Sequence, residues 1–375
     1  MLPVSLVAGS AWIGSEGITT MKALVLSGGM GTRLRPFTHS MPKQLMPIAN
    51  RPVVEHVLDD VRRAGAVDVG VVVGDHAEEI ERAVGDGSRL GLRLTYLRQD
   101  APLGLAHCVL LARDFLGDDD FLMYLGDNIL SDGVAGMART FAADRPDVQL
   151  AVHRVPDPRE FGVAVVGDDG TVLRLEEKPQ DPPGDLAVMG AYFFTSAIHE
   201  AVAAIRPSPR GELEITDAIQ WLVSAGRPVR AVEHTGFWQD AGDIPGVLRC
   251  NRWALDGTRR EIRGWVDESS VLNGPVVVEP GARIVRSRID GPVIVGARTV
   301  IEDGHVGPHT SVGRDCVIRR SGIGDSIVLD DAELVGVPGL HSSIIGRSAS
   351  VRPTDTSALG PSLVIGDHGR AEVRI

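Results

Sequence analysis

The run Leu26-Ser27-Gly28-Gly29-Met30-Gly31-Thr32-Arg33-Leu34 puts three glycines directly behind an apolar segment, a turn in which backbone N–H groups can converge on phosphate oxygens. It is not a Walker A loop, because no Gly-Lys-Ser/Thr follows. Nor is it a dinucleotide fingerprint, because Leu34 stands at the third glycine position. Two cations join it: Arg33 inside the loop and Lys43 in Pro42-Lys43-Gln44-Leu45-Met46-Pro47, neither with a carboxylate close by in sequence. Cations so placed clamp a triphosphate and neutralise charge on a departing pyrophosphate. Two aspartates at the close of strand-like segments complete the set, Asp127 in Leu125-Gly126-Asp127-Asn128 and Asp240 in Trp238-Gln239-Asp240-Ala241-Gly242. Mg²⁺ takes one or two carboxylates together with phosphate oxygens and water. Either aspartate alone reads as a turn former or cap; beside a phosphate loop the metal reading is the stronger one.

These residues need a frame, and the frame is α/β. From Lys22 onward short apolar runs alternate with amphipathic stretches: Ala23 to Leu26, a helix from Pro52, Val69 to Val73, then Ala77 to Val84. In the first helix Val54, Val57, Leu58 and Val61 repeat at i, i+3, i+4 and i+7, with Pro52 where a first turn accepts it. Further strands are predicted at Leu92 to Leu97, Phe121 to Leu125, Val148 to Val155, Val163 to Val166, Val188 to Phe194 and Val229 to Glu233, so the sheet is wide and mixed.

After about residue 260 the periodicity changes. Val278, Ile284, Ile289, Val295, Ile301, Val306, Val312, Ile318 and Ile323 follow one another at intervals of 6, 5 and 6, so each position returns after 17 residues. That return predicts a three-sided parallel β-helix in which one aliphatic per side stacks on its equivalent in the next coil. A β-sandwich fits less well, since its strands recur at roughly 8 to 12 residues.

At the glycine loop and the Pro-Lys motif the chain resembles the sugar nucleotidyltransferases, and most closely the glucose-1-phosphate thymidylyltransferase family in its long form. The resemblance spans residues 22 to 350. It implies a Rossmann-like, mixed-sheet nucleotidyltransferase domain over residues 21–258 followed by a left-handed β-helix over 259–375, with residues 1–20 a leader. It implies that dTTP and glucose 1-phosphate react by in-line displacement with Mg²⁺. Arg33, Lys43, Asp127 and Asp240 are then catalytic, the two aspartates hold the metal, and Ser27, Gly28, Gly29, Gly31 and Thr32 cradle the nucleotide. Arg98-Gln99-Asp100-Ala101-Pro102-Leu103-Gly104 resembles the pyrimidine-reading segment, with Gln99 and Gly104 on the base; an amide can both donate to and accept from a pyrimidine imide edge. Gly162, Glu177 and Val188 are assigned to the sugar, and Lys178 and Arg210 to its phosphate. Three departures loosen the sugar assignment: Phe161 where the short forms carry Tyr, Met189 where they carry Thr, and Gln239 and Ala241 where they carry Leu and Thr.

Composition narrows the alternatives. A net charge of -12 disfavours a nucleic-acid partner, whose binding rests on phosphate neutralisation. No apolar run reaches the ~20 residues of a membrane span, and Cys108, Cys250 and Cys316 have neither disulfide nor zinc spacing, which suits a cytoplasmic protein. The flat faces of a β-helix lead us to expect a homo-oligomer. Rival readings are a uridylyl-, guanylyl- or adenylyltransferase, an acyltransferase using His305, His309 or His341, and a sugar-nucleotide sensor without turnover.

Overall fold

The computed structural model describes residues 21–353. The expected leader and residues 354–375 of the expected β-helix segment lie outside the described residues.

Nine strands form one mixed sheet. Its parallel half runs Phe121–Leu125, Lys22–Ser27, Asp68–Val73, Arg93–Arg98. Both faces of the first three strands are covered, which is why they read as near-continuous aliphatic runs, whereas the edge strand Arg93–Arg98 is partly exposed. Ala23 and Val25 pack on the helix Val53–Arg63 through Val54, Val57, Leu58 and Val61, while Leu24 and Leu26 face the opposite cluster around Ala106, Val109 and Phe121. The C-terminal ends of the four strands share one edge, where α/β sheets present their binding groups. Leu186–Phe194 joins antiparallel to Phe121–Leu125 and, further along the same side, to Gly162–Val166, and on its other side carries Val148–Arg154.

Among the strands without a prediction are Val172–Glu177 and Asn128–Leu130. Val172–Glu177 pairs antiparallel with Gly162–Val166, and its exposed Leu173 and Arg174 break the alternation expected of a strand. Asn128–Leu130 and Trp238–Asp240 form a two-stranded antiparallel ribbon outside the main sheet. Each of its strands is three residues long, too short to register as periodic.

Past the helix Ile244–Asp256 the chain winds into three parallel sheets of six, six and five short strands. Val278, Val295 and Val312 are in register, as are Ile284, Ile301 and Ile318, and Ile289, Val306 and Ile323. All nine side chains lie in one buried cluster. The arrangement fits the expected left-handed β-helix. The period then slips: Val312 pairs with Val328 and Ile318 with Leu334, both 16 residues on, because the corner Gly324-Asp325-Ser326 is one residue shorter than the corner above it.

The β-helix braces the phosphate loop. Leu34, Met41, Met46 and Ile48 share a core with Val247, Leu248, Ile327 and Leu329, so the back of the loop rests partly on the coils. Burying each such aliphatic contributes about 1.5–3 kcal/mol. Buried Asn251 ties the junction by accepting from Ala49 N at 2.9 Å and Ser311 Oγ at 2.6 Å, and donating to the His309 carbonyl at 3.2 Å. Arg252 forms an ion pair with Asp325, and Asn50 donates to the Val312 carbonyl at 2.7 Å.

Candidate active site

The glycine loop leaves the end of Lys22–Ser27 and closes over Lys43. A Cβ on Gly29 would stand 2.9 Å from Lys43 Cε, and one on Gly31 would stand 2.9 Å from both Lys43 Cβ and Thr38 Cγ2. Gly31 also sits at φ 63°, in the left-handed region, before the short turn Thr32–Leu34. Thr38 fixes the loop by donating to the Gly31 carbonyl at 2.8 Å. Close packing of loop on lysine explains these glycines.

The sequence reading left the two cations without nearby carboxylates; the fold corrects this. Lys43 Nζ forms an ion pair with Asp127, and Arg33 Nη2 lies 3.6 Å from Asp240 Oδ2. Asp127 closes the strand Phe121–Leu125, and Asp240 opposes Asn128 across the ribbon, where Ala241 N donates to the Asp127 carbonyl at 2.9 Å. The pairing of Trp238–Asp240 with Asn128–Leu130, which the sequence did not announce, is therefore what brings together two aspartates 113 positions apart. Trp238 Nε1 clamps it by donating to Asn128 Oδ1 at 2.7 Å. Gly242 lies close beside it: a Cβ there would meet Asp240 Oδ1 at 2.6 Å and Arg33 Nη2 at 2.8 Å and so displace the two side-chain ends.

Electrostatics separates the two carboxylates. Burial works to raise the Asp127 carboxyl, but the charge and hydrogen bond of Lys43, with the Asn128 amide, hold it below its ordinary value. Burial and then the Asp127 charge push Asp240 up to about 6. Burial opposes the Lys43 charge as well, yet Asp127 and Asp240 keep its ammonium above its usual value. Asp240 Oδ1 is buried and has no hydrogen-bond partner. Unpaired anionic capacity of that kind suits a cation, and a set of two carboxylates leaves room for phosphate oxygens in its shell.

The base segment lies against the loop. A Cβ on Gly28 would stand 3.6 Å from Gln99 Oε1, and Gln99 Nε2 donates toward the Gly104 carbonyl at 3.4 Å and meets His107 Nδ1 at 2.9 Å. His107 was not singled out from sequence, and its neighbour at i-8 in a loop gave no signal. Gly104 has φ 98°, and its would-be Cβ lies 2.4 Å from the Leu213 carbonyl. Leu213 N in turn donates to the Leu103 carbonyl at 2.8 Å, joining the base segment to the stretch that carries Arg210.

Gly162, Glu177 and Val188 come together on neighbouring strands: a Gly162 Cβ would be 3.4 Å from Glu177 Oε2 and 3.7 Å from Val188 Cβ. Thr216, also not singled out from sequence, donates to Glu177 Oε2 at 3.0 Å. Arg210 reaches Glu177 and Glu212, each at 3.2 Å, and Glu214 at 3.6 Å. Burial works against its charge, but Glu214, Glu212 and Glu177 together hold the guanidinium above its ordinary value. Lys178 is exposed at φ 40°, with its backbone N donating to the Phe161 carbonyl at 3.1 Å. Met189 points away from this group into the opposite core, and Phe161 packs on Trp238 with the rings tilted at 58° and their centroids 5.2 Å apart.

Residues 22–256 match the nucleotidyl transferase family model. The chain is 54% identical over 353 residues to a glucose-1-phosphate thymidylyltransferase of Streptomyces griseus, covering 94% of this chain and 99% of that one. The chain belongs to the glucose-1-phosphate thymidylyltransferase family. A second family member, from Streptomyces antibioticus, is 49% identical over 94% of this chain and all of its own length. A solved structure titled as a putative thymidylyltransferase of Bacillus anthracis, in complex with a sucrose, superposes with a TM-score of 0.60 at 33% identity, over 64% of this chain and 98% of that one. As a thymidylyltransferase family member the chain is a nucleotidyltransferase enzyme. No described helix is long and apolar enough to cross a membrane.

Proposed function

We propose that the enzyme joins the thymidylyl group of dTTP to glucose 1-phosphate, giving dTDP-glucose and pyrophosphate. The observation that carries this reading is the convergence of Arg33, Lys43, Asp127 and Asp240 at a glycine loop on the C-terminal edge of a parallel sheet, in a member of this family. An oxygen of the sugar phosphate forms a bond to the α-phosphorus, the bond between that phosphorus and the α,β-bridging oxygen breaks, and pyrophosphate leaves with the electron pair. Positioning and charge neutralisation carry such a step.

Ser27, Gly28, Gly29, Gly31 and Thr32 hold the triphosphate, with Arg33 and Lys43 on its charged oxygens. Gln99 and Gly104 read the pyrimidine edge. Gly162, Glu177 and Val188 hold the hexose, Glu177 accepting from its hydroxyls, while Lys178 and Arg210 take its phosphate. Asp127 and Asp240 would hold Mg²⁺, which supplies charge neutralisation for the reacting phosphates when bound. The buried, unpartnered Asp240 Oδ1 supports that assignment. Cys108, Cys250 and Cys316 are free and buried, which suits a cytoplasmic enzyme. We read residues 21–258 as the catalytic domain, and the tail as the support of a homo-oligomer that needs neither nucleic acid nor membrane.

The test is pyrophosphate release with Mg²⁺ and glucose 1-phosphate, offering dTTP, UTP, GTP, ATP and CTP separately. Preference for dTTP is the expected result. A methyl in an apolar pocket is worth only about 1–3 kcal/mol, so some use of UTP is compatible with it. Preference for a purine nucleotide would overturn the assignment of Gln99.

A further inference from the structure

The helix Leu105–Leu111 begins directly behind the base segment, and its first turn is pinned from outside: Ala106 N donates to the Leu213 carbonyl at 3.0 Å. Gln99 is fixed from the other side, its backbone N donating at 2.8 Å to the carbonyl of Val73, the last residue of the strand Asp68–Val73. These two anchors bring the half-buried His107 ring against the half-buried Gln99 amide. Gln99 Nε2 lies 2.9 Å from His107 Nδ1 and 3.4 Å from the Gly104 carbonyl oxygen. The buried Cys108 thiol donates to the same carbonyl at 3.6 Å, so that oxygen faces into this group.

A side-chain amide has two ends of opposite polarity, and its surroundings decide which end meets a ligand. A carbonyl oxygen only accepts, so the Gly104 carbonyl calls for the NH₂ end of Gln99. Turning the amide over would set Gln99 Oε1 against that oxygen. His107 Nδ1 takes the second amide hydrogen, which places the ring's own hydrogen on Nε2. Both amide hydrogens are then engaged, and Oε1 alone is left for the base. It faces the phosphate loop, where a Cβ on Gly28 would stand 3.6 Å from it. An oxygen in that position accepts from the N3–H of thymine or uracil. Cytosine N3 carries a lone pair and no hydrogen, so there two acceptors would oppose each other.

We propose that His107 is a positioning residue for base selection: it holds the Gln99 amide oxygen toward the nucleotide, which admits dTTP and UTP and excludes CTP. That role rests on the assignment of Gln99 to the base proposed above and narrows it, because the amide accepts from the base and does not donate to it. A polar group left facing a mismatched partner discriminates far more strongly than a pocket that senses one methyl. Exclusion of cytosine is therefore separate in origin from the choice between thymine and uracil, which differ only by that methyl.

Pyrophosphate release with Mg²⁺ and glucose 1-phosphate, measured over a range of dTTP and of CTP, gives kcat and KM for each nucleotide in the parent, His107→Leu, His107→Gln and Gln99→Leu. In His107→Leu the ratio of kcat/KM for dTTP to that for CTP should fall at least about tenfold. Part of the fall should come from a higher KM for dTTP and part from an absolute rise in kcat/KM for CTP, which a purely structural defect would not produce. His107→Gln, whose side-chain oxygen can accept in place of Nδ1, should keep the ratio within about threefold of the parent. A parental ratio in His107→Leu beside a reduced ratio in Gln99→Leu overturns the role of His107 and leaves the assignment of Gln99 standing. A parental ratio in Gln99→Leu overturns both.

Discussion

At the phosphate end of the site two cations meet two carboxylates; at the sugar end one arginine meets three. Lys43 and Asp127 are buried and paired closely, whereas Arg210 is shared among Glu177, Glu212 and Glu214 on an exposed loop. At the first end the ion pair holds a buried aspartate in its charged form, and a divalent cation joining Asp127 would have to displace the lysine toward the phosphates. At the second, incoming hydroxyls and phosphate compete with Glu177 and Glu212, which are solvated in part. Loss of a group should therefore be severe at the first end and graded at the second.

The largest effect is expected from Asp127→Asn, which should lower pyrophosphate release by at least about 10³-fold, or about 4 kcal/mol of barrier, and should also lower the melting temperature, because Lys43 is left largely buried without its partner. Retained turnover would erase the contrast between the ends. Lys43→Ala should lower turnover by about 10²-fold. It should also cost about 3–5 kcal/mol of stability in metal-free protein, because Asp127 is left buried without its partner. Thermal melting with and without Mg²⁺ and dTTP checks this, and the ligands should restore part of the loss. At the sugar end Glu177→Gln should raise KM for glucose 1-phosphate about tenfold with a smaller change in kcat, as loss of one charge-assisted hydrogen bond requires.

Asp240 gives a pH signature. Its carboxyl is raised in the folded chain to about 6, above its unfolded value, so its contribution to stability is full below about pH 4 and is lost as pH rises through 6. Asp240→Asn removes that penalty. The metal-free variant should be more stable to unfolding than the parent at pH 7.5, by about 1–2 kcal/mol after allowance for solvent screening, and the gap should close by pH 4. Smallest of all, Met189→Thr should leave KM for glucose 1-phosphate within about twofold, while costing stability through its buried position.

The strand Phe121–Leu125 was legible as a short continuous apolar run, and the coil register from Val278 to Ile323 because burial repeats there at a fixed period. The site residues were legible through their motifs and the family resemblance; their partners were not. Thr216 and His107 meet Glu177 and Gln99 through the fold, and the Lys43–Asp127 pair spans 84 positions with no periodicity to announce it. The departure at Met189 was weighed as a lost sugar contact, yet one residue along a strand reverses the face, and it lies in the core opposite Val188.

Manganese paramagnetic resonance in the presence of dTTP tests the central claim most directly, since it counts bound cation without turnover. The account predicts one tightly bound Mn²⁺ per chain in the parent and at least tenfold weaker binding in both Asp127→Asn and Asp240→Asn. Equal Mn²⁺ affinity in all three proteins would show that the paired aspartates do not hold the metal.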